Sequence, residues 1–248
     1  MLVPLPGGMI TPAQLAALSS ASSQLGSGTL ELTARGNLQL RGITDATAIV
    51  PLLTQARPNI VASPLSGRVG GNADVRPWVG ERDAAICAEP RLVELGGRFW
   101  FSLDDGSADV SGLGADVGVH VFEEGCALLL MGRDTGIRLA AHDVIKTLVA
   151  VALDQPGVEL SATPLPARTK PPVGWIPQED GLVALGASVP LGVLPARVAE
   201  FLAAIEAPLV ITPWRSVLVC DLDEGVADVA LRVLAPLGLI FDENSSSL

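Results

Sequence analysis

The stretch Thr29-Leu30-Glu31-Leu32-Thr33-Ala34-Arg35-Gly36-Asn37-Leu38-Gln39-Leu40-Arg41-Gly42-Ile43 decides how this chain folds. Leu30, Leu32, Leu38 and Leu40 alternate with Glu31, Thr33, Asn37, Gln39 and Arg41, the period of strands with one face buried. A tight Arg35-Gly36 turn folds the run into a hairpin. Its polar face gathers Arg35, Asn37, Gln39 and Arg41 in a row about 13 Å long or less, at ~3.3 Å per residue. A half-copy returns at Leu209-Val210-Ile211-Thr212-Pro213-Trp214-Arg215-Ser216-Val217-Leu218-Val219, and the two hairpins organise the rest.

Outward from the first hairpin, Thr11-Pro12 pairs an N-cap with a proline at the first helical position. Leu15, Leu18 and Leu25 fall on one face of that helix, and Gly26-Ser27-Gly28 stops it. A strand at 2–5 precedes it. Thr44 or Asp45 caps a second helix carrying Ile49, Leu52 and Leu53, and Asn59-Ile60-Val61-Ala62 closes the segment as a strand. The order β-α-β-β-α-β is that of a ferredoxin-like sandwich. The end of the chain repeats it: a strand at 182–185, a helix from Pro195 with Val198, Leu202 and Ile205 inward, and the second hairpin. A helix from Glu224 or Gly225 through Val229, Leu231 and Leu234 follows, then a strand at 238–240. This reads as an internal duplication about 180 residues apart.

A different unit lies between the copies. It has a glycine-rich loop at 67–72, a helix over 77–94, strands at 98–103, 116–122, 127–131 and 137–140, and a helix over 142–153. The stretch 156–177 holds six prolines and reads as an extended linker. The expected fold is α+β: two ferredoxin-like half-domains, residues 1–62 and 178–248, paired around a central α/β unit at 63–155.

Composition narrows the function. Hydrophobic residues make up 49% of the 248 and aromatics only 4%, with no Tyr, so the core is built of small aliphatic side chains. The formal net charge of −11 and just two lysines, Lys146 and Lys170, disfavour nucleic acid, because phosphate neutralisation needs clustered cations. No apolar run is long enough to span a membrane, and the start lacks the basic n-region of a secretory signal. Cys87, Cys126 and Cys220 are scattered and form no C-x-x-C pair. They fit a reducing cytoplasm and small buried hydrophobes, not a disulfide framework or a local metal centre.

Most candidate motifs read as ordinary structure. Gly67-x-x-Gly70-Gly71 offers backbone N–H groups to a phosphate but lacks the Lys-Ser/Thr ending of a P-loop, and reads as a connection. Asp104-Asp105-Gly106, with Asp109 and Asp116 nearby, has carboxylates for a divalent cation but the composition of a turn. His120 and His142 share no metal-ligand spacing and read as satisfied histidines. One set stands apart. Arg35, Asn37, Gln39, Arg41, Arg57, Arg98 and Arg215 bring planar guanidinium and amide groups to an acidic background, the chemistry of a pocket for a polycarboxylate.

Thr33-Ala34-Arg35-Gly36-Asn37-Leu38-Gln39-Leu40-Arg41-Gly42-Ile43 resembles the T-x-R-Q-N-L-Q-L-R-G-[LI] signature of the nitrite and sulfite reductase ferredoxin-like half-domain. Residues 57–67 are similar to that family's R-N-[IV]-x-x-S-P-x-x-G segment, 95–106 to its L-P-x-K-F-x-[FI]-x-[VIL]-D-D-G strand, and Thr212-Pro213-Trp214-Arg215 to its second T-P-W-R. Within the family the D-D-G strand and T-P-W-R hairpin most resemble precorrin-3B synthases of aerobic cobalamin biosynthesis. That resemblance implies an oxidoreductase, a monooxygenase acting on precorrin-3A, a carboxylated tetrapyrrole. It makes Arg35, Asn37, Gln39, Arg41, Arg57, Asn59, Arg98 and Arg215 the substrate-binding candidates. It also implies a 4Fe-4S cluster, but the family's cluster cysteines follow the second half-domain, and Cys87, Cys126 and Cys220 do not match them. The resemblance therefore implies an incomplete enzyme, either truncated before its cluster segment or half of a split enzyme whose cluster is carried by another subunit or fragment. Two alternatives are a siroheme-type nitrite or sulfite reductase fragment and a non-catalytic tetrapyrrole carrier or partner subunit. Gly36 stands where the family has Gln. Trp100 stands where siroheme sulfite reductases carry a substrate-binding Lys, which weighs against sulfite reduction.

Overall fold

Residues 1–45, 59–93, 95, 97–154, 165, 167 and 170–245 are described by a computed structural model of the protein. In chain order the elements are β1 (Leu2–Val3), β2 (Met9–Ile10), α1 (Pro12–Leu25), β3 (Thr29–Leu32), β4 (Leu38–Leu40), β5 (Asn59–Ala62), α2 (Arg76–Ala88) and α3 (Pro90–Val93). Then come β6 (Trp100–Asp104), β7 (Val117–Phe122), β8 (Gly125–Leu130), β9 (Arg133–Leu139), α4 (Val144–Leu153), β10 (Gly174–Pro177) and β11 (Val183–Ser188). The last are β12 (Val193–Pro195), α5 (Ala196–Ala203), β13 (Leu209–Ile211), β14 (Ser216–Leu222) and α6 (Glu224–Leu234). They form two compact units, Met1–Gln55 with Lys170–Leu248, and Ala56–Thr169. Among the described residues no helix is long and apolar enough to cross a membrane.

In the first unit the α+β class and the two ferredoxin-like half-domains are as the pattern implies. α1 starts where Thr11-Pro12 places it. The Gln14 N–H donates to Thr11 Oγ1 at 3.2 Å and the Thr11 N–H to Gln14 Oε1 at 3.0 Å, a capping box. The sheets run β1-β4-β3-β12 and β10-β11-β14-β13-β2. Their registers reveal an exchange that no alternation pattern announces. β2, from the first half-domain, pairs with β13 of the second, Ile10 opposite Leu209; β12, from the second, pairs with β3 of the first, Leu194 opposite Leu30. Each half thus lends a short strand to the other's sheet. The inner faces share one core: Leu15 and Leu18 of α1, Val198 and Leu202 of α5, Leu30, Leu32, Leu38 and Leu40 from the first hairpin, and Leu209, Ile211, Val217 and Val219 from the second. Each fully buried leucine here contributes roughly 1.5–3 kcal/mol.

The second unit is a mixed five-stranded sheet, β5-β6-β7-β8-β9, parallel from β5 to β7 and antiparallel beyond. α2 and α4 cover one face through Val75, Val79, Ile86, Val144 and Leu148.

Several expected elements differ. Asn59–Ala62 is a strand, but it pairs in parallel with β6 instead of closing the first half-domain. The helix expected over 77–94 ends at Ala88, and Glu89 is extended ahead of Pro90, as a residue before proline prefers. The expected linker contains β10, an edge strand, which is where a sheet tolerates proline. The strand expected at 238–240 is reduced to one bridge between Ser188 and Ile240. The helix carrying Ile49, Leu52 and Leu53 lies outside the described residues, as does Arg57.

Candidate functional site

The two hairpin turns in the first unit are built alike. In the first, the Thr33 N–H donates to the Asn37 carbonyl at 2.9 Å, the Gly36 N–H to the Thr33 carbonyl at 3.2 Å, and the Asn37 N–H to Thr33 Oγ1 at 3.1 Å. In the second, the Thr212 N–H donates to the Ser216 carbonyl at 2.9 Å, the Arg215 N–H to the Thr212 carbonyl at 3.1 Å, and the Ser216 N–H to Thr212 Oγ1 at 3.3 Å. Gly36 and Arg215 occupy the matching left-handed position, with φ of +66° and +58°. An L-residue there costs roughly 1–2 kcal/mol, so Arg215 holds a strained backbone that glycine would hold freely.

These turns meet. A Cβ built at Gly36 would lie 2.7 Å from the Ile211 carbonyl oxygen and 3.5 Å from Gly8 Cα. That contact explains the glycine, because a side chain has neither the backbone angle nor the room. Arg215 is exposed, and its methylenes run along Gly192, where an added Cβ would lie 2.8 Å from Arg215 Cδ. Gly36→Ala should therefore destabilise the first unit by about 2 kcal/mol, more than the left-handed cost alone if the Ile211 carbonyl resists moving. Denaturant unfolding measures this, and a loss below about 0.5 kcal/mol would mean that the turns do not bear on each other.

The expected polar row is only partly polar surface. Arg35 is half-buried in its turn and Gln39 is half-buried on β4. Arg41 is exposed and pairs with Glu31 at 2.9 Å, a surface ion pair of small worth. Asn37 is buried, and its Oδ1 accepts the Leu5 N–H at 2.8 Å, so it serves the fold. The β3–β4 register is unbroken, so Asn37 keeps the face that alternation gives it; it is buried because the segment around Leu5 and Gly8 lies over this end of the hairpin, which strict alternation does not show. Asn59 is buried on β5 and Arg98 is exposed just before β6, both in the second unit. The structure brings together the turns bearing Arg35 and Arg215.

The second unit holds a separate polar cluster. Asp104, at the end of β6, is fully buried. Its Oδ1 accepts the N–H groups of Gly106 and Ala108 at 2.9 and 3.0 Å, and its Oδ2 those of Val110 and Ser111 at 3.0 and 2.8 Å. His120 Nδ1 lies 3.1 Å from Asp104 Oδ1 and 2.8 Å from Ser111 Oγ. Burial alone would raise the Asp104 pKa; its hydrogen bond and attraction to His120, with the Ser111 hydrogen bonds, outweigh that and hold it at about 2. Ser, His and Asp are adjacent here but do not form a relay, since the serine and the aspartate both address Nδ1. The group ties a turn to the sheet.

Asp109 sits on the same turn and accepts Ser63 Oγ–H at 2.6 Å. Burial, then the neighbouring carboxylates of Asp104 and Asp105, push its pKa up to about 7. Oxygens of the three aspartates lie within 4.8 Å of one another, close enough for one cation, yet Asp104 already accepts four backbone N–H groups. Gly71 of the glycine-rich loop packs on Asp105, where an added Cβ would lie 2.7 Å from the carboxyl carbon. A loop resting on a carboxylate is no phosphate cradle. Cys126 and Cys220 are buried thiols, one in each unit.

Sequence reasoning missed one polar residue outright. Arg82 projects from α2 into the core and is fully buried. Its signal is in the helical spacing, as it falls on the stripe of Val75, Val79 and Ile86.

Residues 1–49 match the family model of the "Nitrite/Sulfite reductase ferredoxin-like half domain". No curated protein matches the chain. Among solved structures, the Mycobacterium tuberculosis NirA protein is similar at a TM-score of 0.82 and 18% identity, over 98% of this chain and 57% of that one. The chain thus spans less than two thirds of NirA's length, and at that identity the likeness shows the fold.

Proposed function

We propose that the chain binds a carboxylated tetrapyrrole of the precorrin type, as part of an oxidoreductase related to precorrin-3B synthase. One observation carries this reading: the paired turns of the first unit meet at Gly36 and Ile211, so two arginine-bearing loops from opposite ends of the sequence share one edge. A guanidinium recognises a carboxylate through a planar fork, and a tetrapyrrole with many peripheral carboxylates rewards several such forks at once. The half-domain match over residues 1–49 supports the same direction. Of the candidates, Arg35 and Arg215 carry the proposal because they lie on the two turns, and Asn37 is turned inward, where its Oδ1 accepts the Leu5 N–H. Arg57, Asn59 and Arg98 remain candidates by resemblance alone. Redox chemistry on the bound ring would need an iron–sulfur centre that these three cysteines do not supply, so a partner carrying the cluster belongs to the proposal.

Fluorescence titration with an octacarboxylate porphyrin tests this. Arg35→Ala and Arg215→Ala should each weaken binding by about 1–3 kcal/mol, the worth of charge-assisted hydrogen bonds. Arg41→Ala should change it by less than about 0.5 kcal/mol, as expected of an exposed ion pair. Equal affinity for wild type and both turn variants would refute the site.

A further inference from the structure

α2 and its N-cap residue turn one stripe towards the core of the second unit: Val75, Val79, Arg82 and Ile86. Three of the four are the aliphatic residues such a stripe requires. The fourth ends in a guanidinium with 0% exposure. Its Cζ stands 3.6 Å from the centroid of the Phe101 ring, and Phe99 packs edge-on against that ring at 5.1 Å. Stacking satisfies one flat face of the cation. It does nothing for the N–H groups, which lie in the guanidinium plane and point outward from its rim. Nε, Nη1 and Nη2 of Arg82 are all buried, and none has a hydrogen-bond partner among the described residues. Asp83 follows on the helix, but consecutive helical side chains do not face each other.

Buried polar groups in folded proteins are nearly always paired, and buried charges more strictly so. Desolvation lowers the Arg82 pKa to about 9, which still leaves the group cationic at neutral pH. A cation in an apolar core with its whole donor edge unpartnered is matched by one chemistry. It needs an anion with at least two coplanar acceptor oxygens, able to lie in the guanidinium plane while the ring covers the face.

We propose that Arg82 is the receptor for a small carboxylate or oxyanion, bound edge-on to its guanidinium beneath α2 in the second unit. The site is independent of the turns of the first unit and stands or falls separately from tetrapyrrole binding.

The test compares thermal unfolding of the full chain at pH 7 in sodium acetate and in sodium chloride of equal ionic strength, for wild type and Arg82→Met. Acetate should raise the wild-type midpoint by several degrees over chloride, as expected when a ligand binds only the folded state. Arg82→Met should lose that difference, and in chloride it should melt above wild type because no unpaired charge is then buried. If Arg82→Met fails to fold, Arg82→Lys serves instead: it keeps the charge but lacks the fork, and should lose the preference for acetate. In protein carrying 15N-labelled arginine, acetate should also move the Arg82 Nε–H resonance and leave those of Arg41 and Arg232 in place. Equal midpoints of wild type in acetate and chloride, or an acetate shift of the same size in the variant, would overturn the proposal.

Discussion

Asp104→Ala is expected to cost the second unit about 3–5 kcal/mol, the range for removing one partner from a buried charged network. The carboxylate is the only acceptor described for the N–H groups of half-buried Ala108 and buried Val110 on a turn that closes over it, and alanine would leave both unpaired. His120 would lose its carboxylate and keep only Ser111. Asp104→Asn preserves the shape but removes the charge and turns an NH2 group towards N–H donors, so about 2–3 kcal/mol should go. The pH dependence follows from the depressed pKa. Because Asp104 titrates at about 2 when folded and near 3.8 when unfolded, its contribution is complete above pH 4 and disappears as the pH falls through 2. The difference corresponds to about 2 kcal/mol. Denaturant unfolding between pH 2 and 5 should show this slope in wild type and a shallower one in Asp104→Asn, where Asp74 and Asp134, both held below the usual carboxylate range, still titrate. A loss under about 1 kcal/mol in Asp104→Ala would show that the turn holds without its carboxylate.

Much of this architecture is legible where local chemistry alone decides. Thr11-Pro12 starts α1, and the alternating leucines make the first hairpin, because capping and a half-buried face are properties of a few consecutive residues. Partner choice is not local. Asn59–Ala62 reads correctly as a strand, but nothing in four buried residues says whether the neighbour is parallel or in which sheet it lies. β2 and β12 are two and three residues long, too short for a period of two to show. Their exchange between sheets is nevertheless what joins the half-domains. Asn37 shows another limit: alternation assigns it to the solvent face, and a segment distant in sequence, around Leu5, covers that face and takes its side chain.

Buried charge is hidden in the sequence for a related reason. On an acidic chain the arginines of the hairpin draw attention as surface cations, while Arg82 sits unremarked among polar neighbours in Glu81-Arg82-Asp83. Only the three- and four-residue spacing from Val79 to Ile86 places it inside. Asp104 and His120 are similarly ordinary in sequence. Their pairing depends on β6 and β7 being parallel neighbours, with Asp104 opposite His120 in the register.

Asp109→Asn should stabilise the second unit at pH 8 by a few kcal/mol, the opposite sign from the change at Asp104. Burial and the Asp104 and Asp105 carboxylates raise the folded pKa of Asp109 to about 7, against 3.8 for an ordinary aspartate. A raised folded pKa means that the native state binds the proton more tightly. The stabilisation from that proton is complete below pH 4 and is lost as the pH climbs to 7, where ionising Asp109 places a third carboxylate beside two others. Asparagine keeps an acceptor for the 2.6 Å hydrogen bond from Ser63 and carries no charge to repel. Wild type should therefore lose stability steadily from pH 4 to 7 and level off above, while Asp109→Asn stays nearly flat across the interval. With Asp104 weakening the unit below pH 4, the wild-type optimum falls on the mildly acidic side of neutrality, and the substitution should widen it towards alkaline pH. Denaturant midpoints at unit steps from pH 4 to 8 decide the matter. Parallel curves for the two proteins would mean that Asp109 is already ionised in the native turn at pH 5, and that Ser63, not a retained proton, is what holds it there.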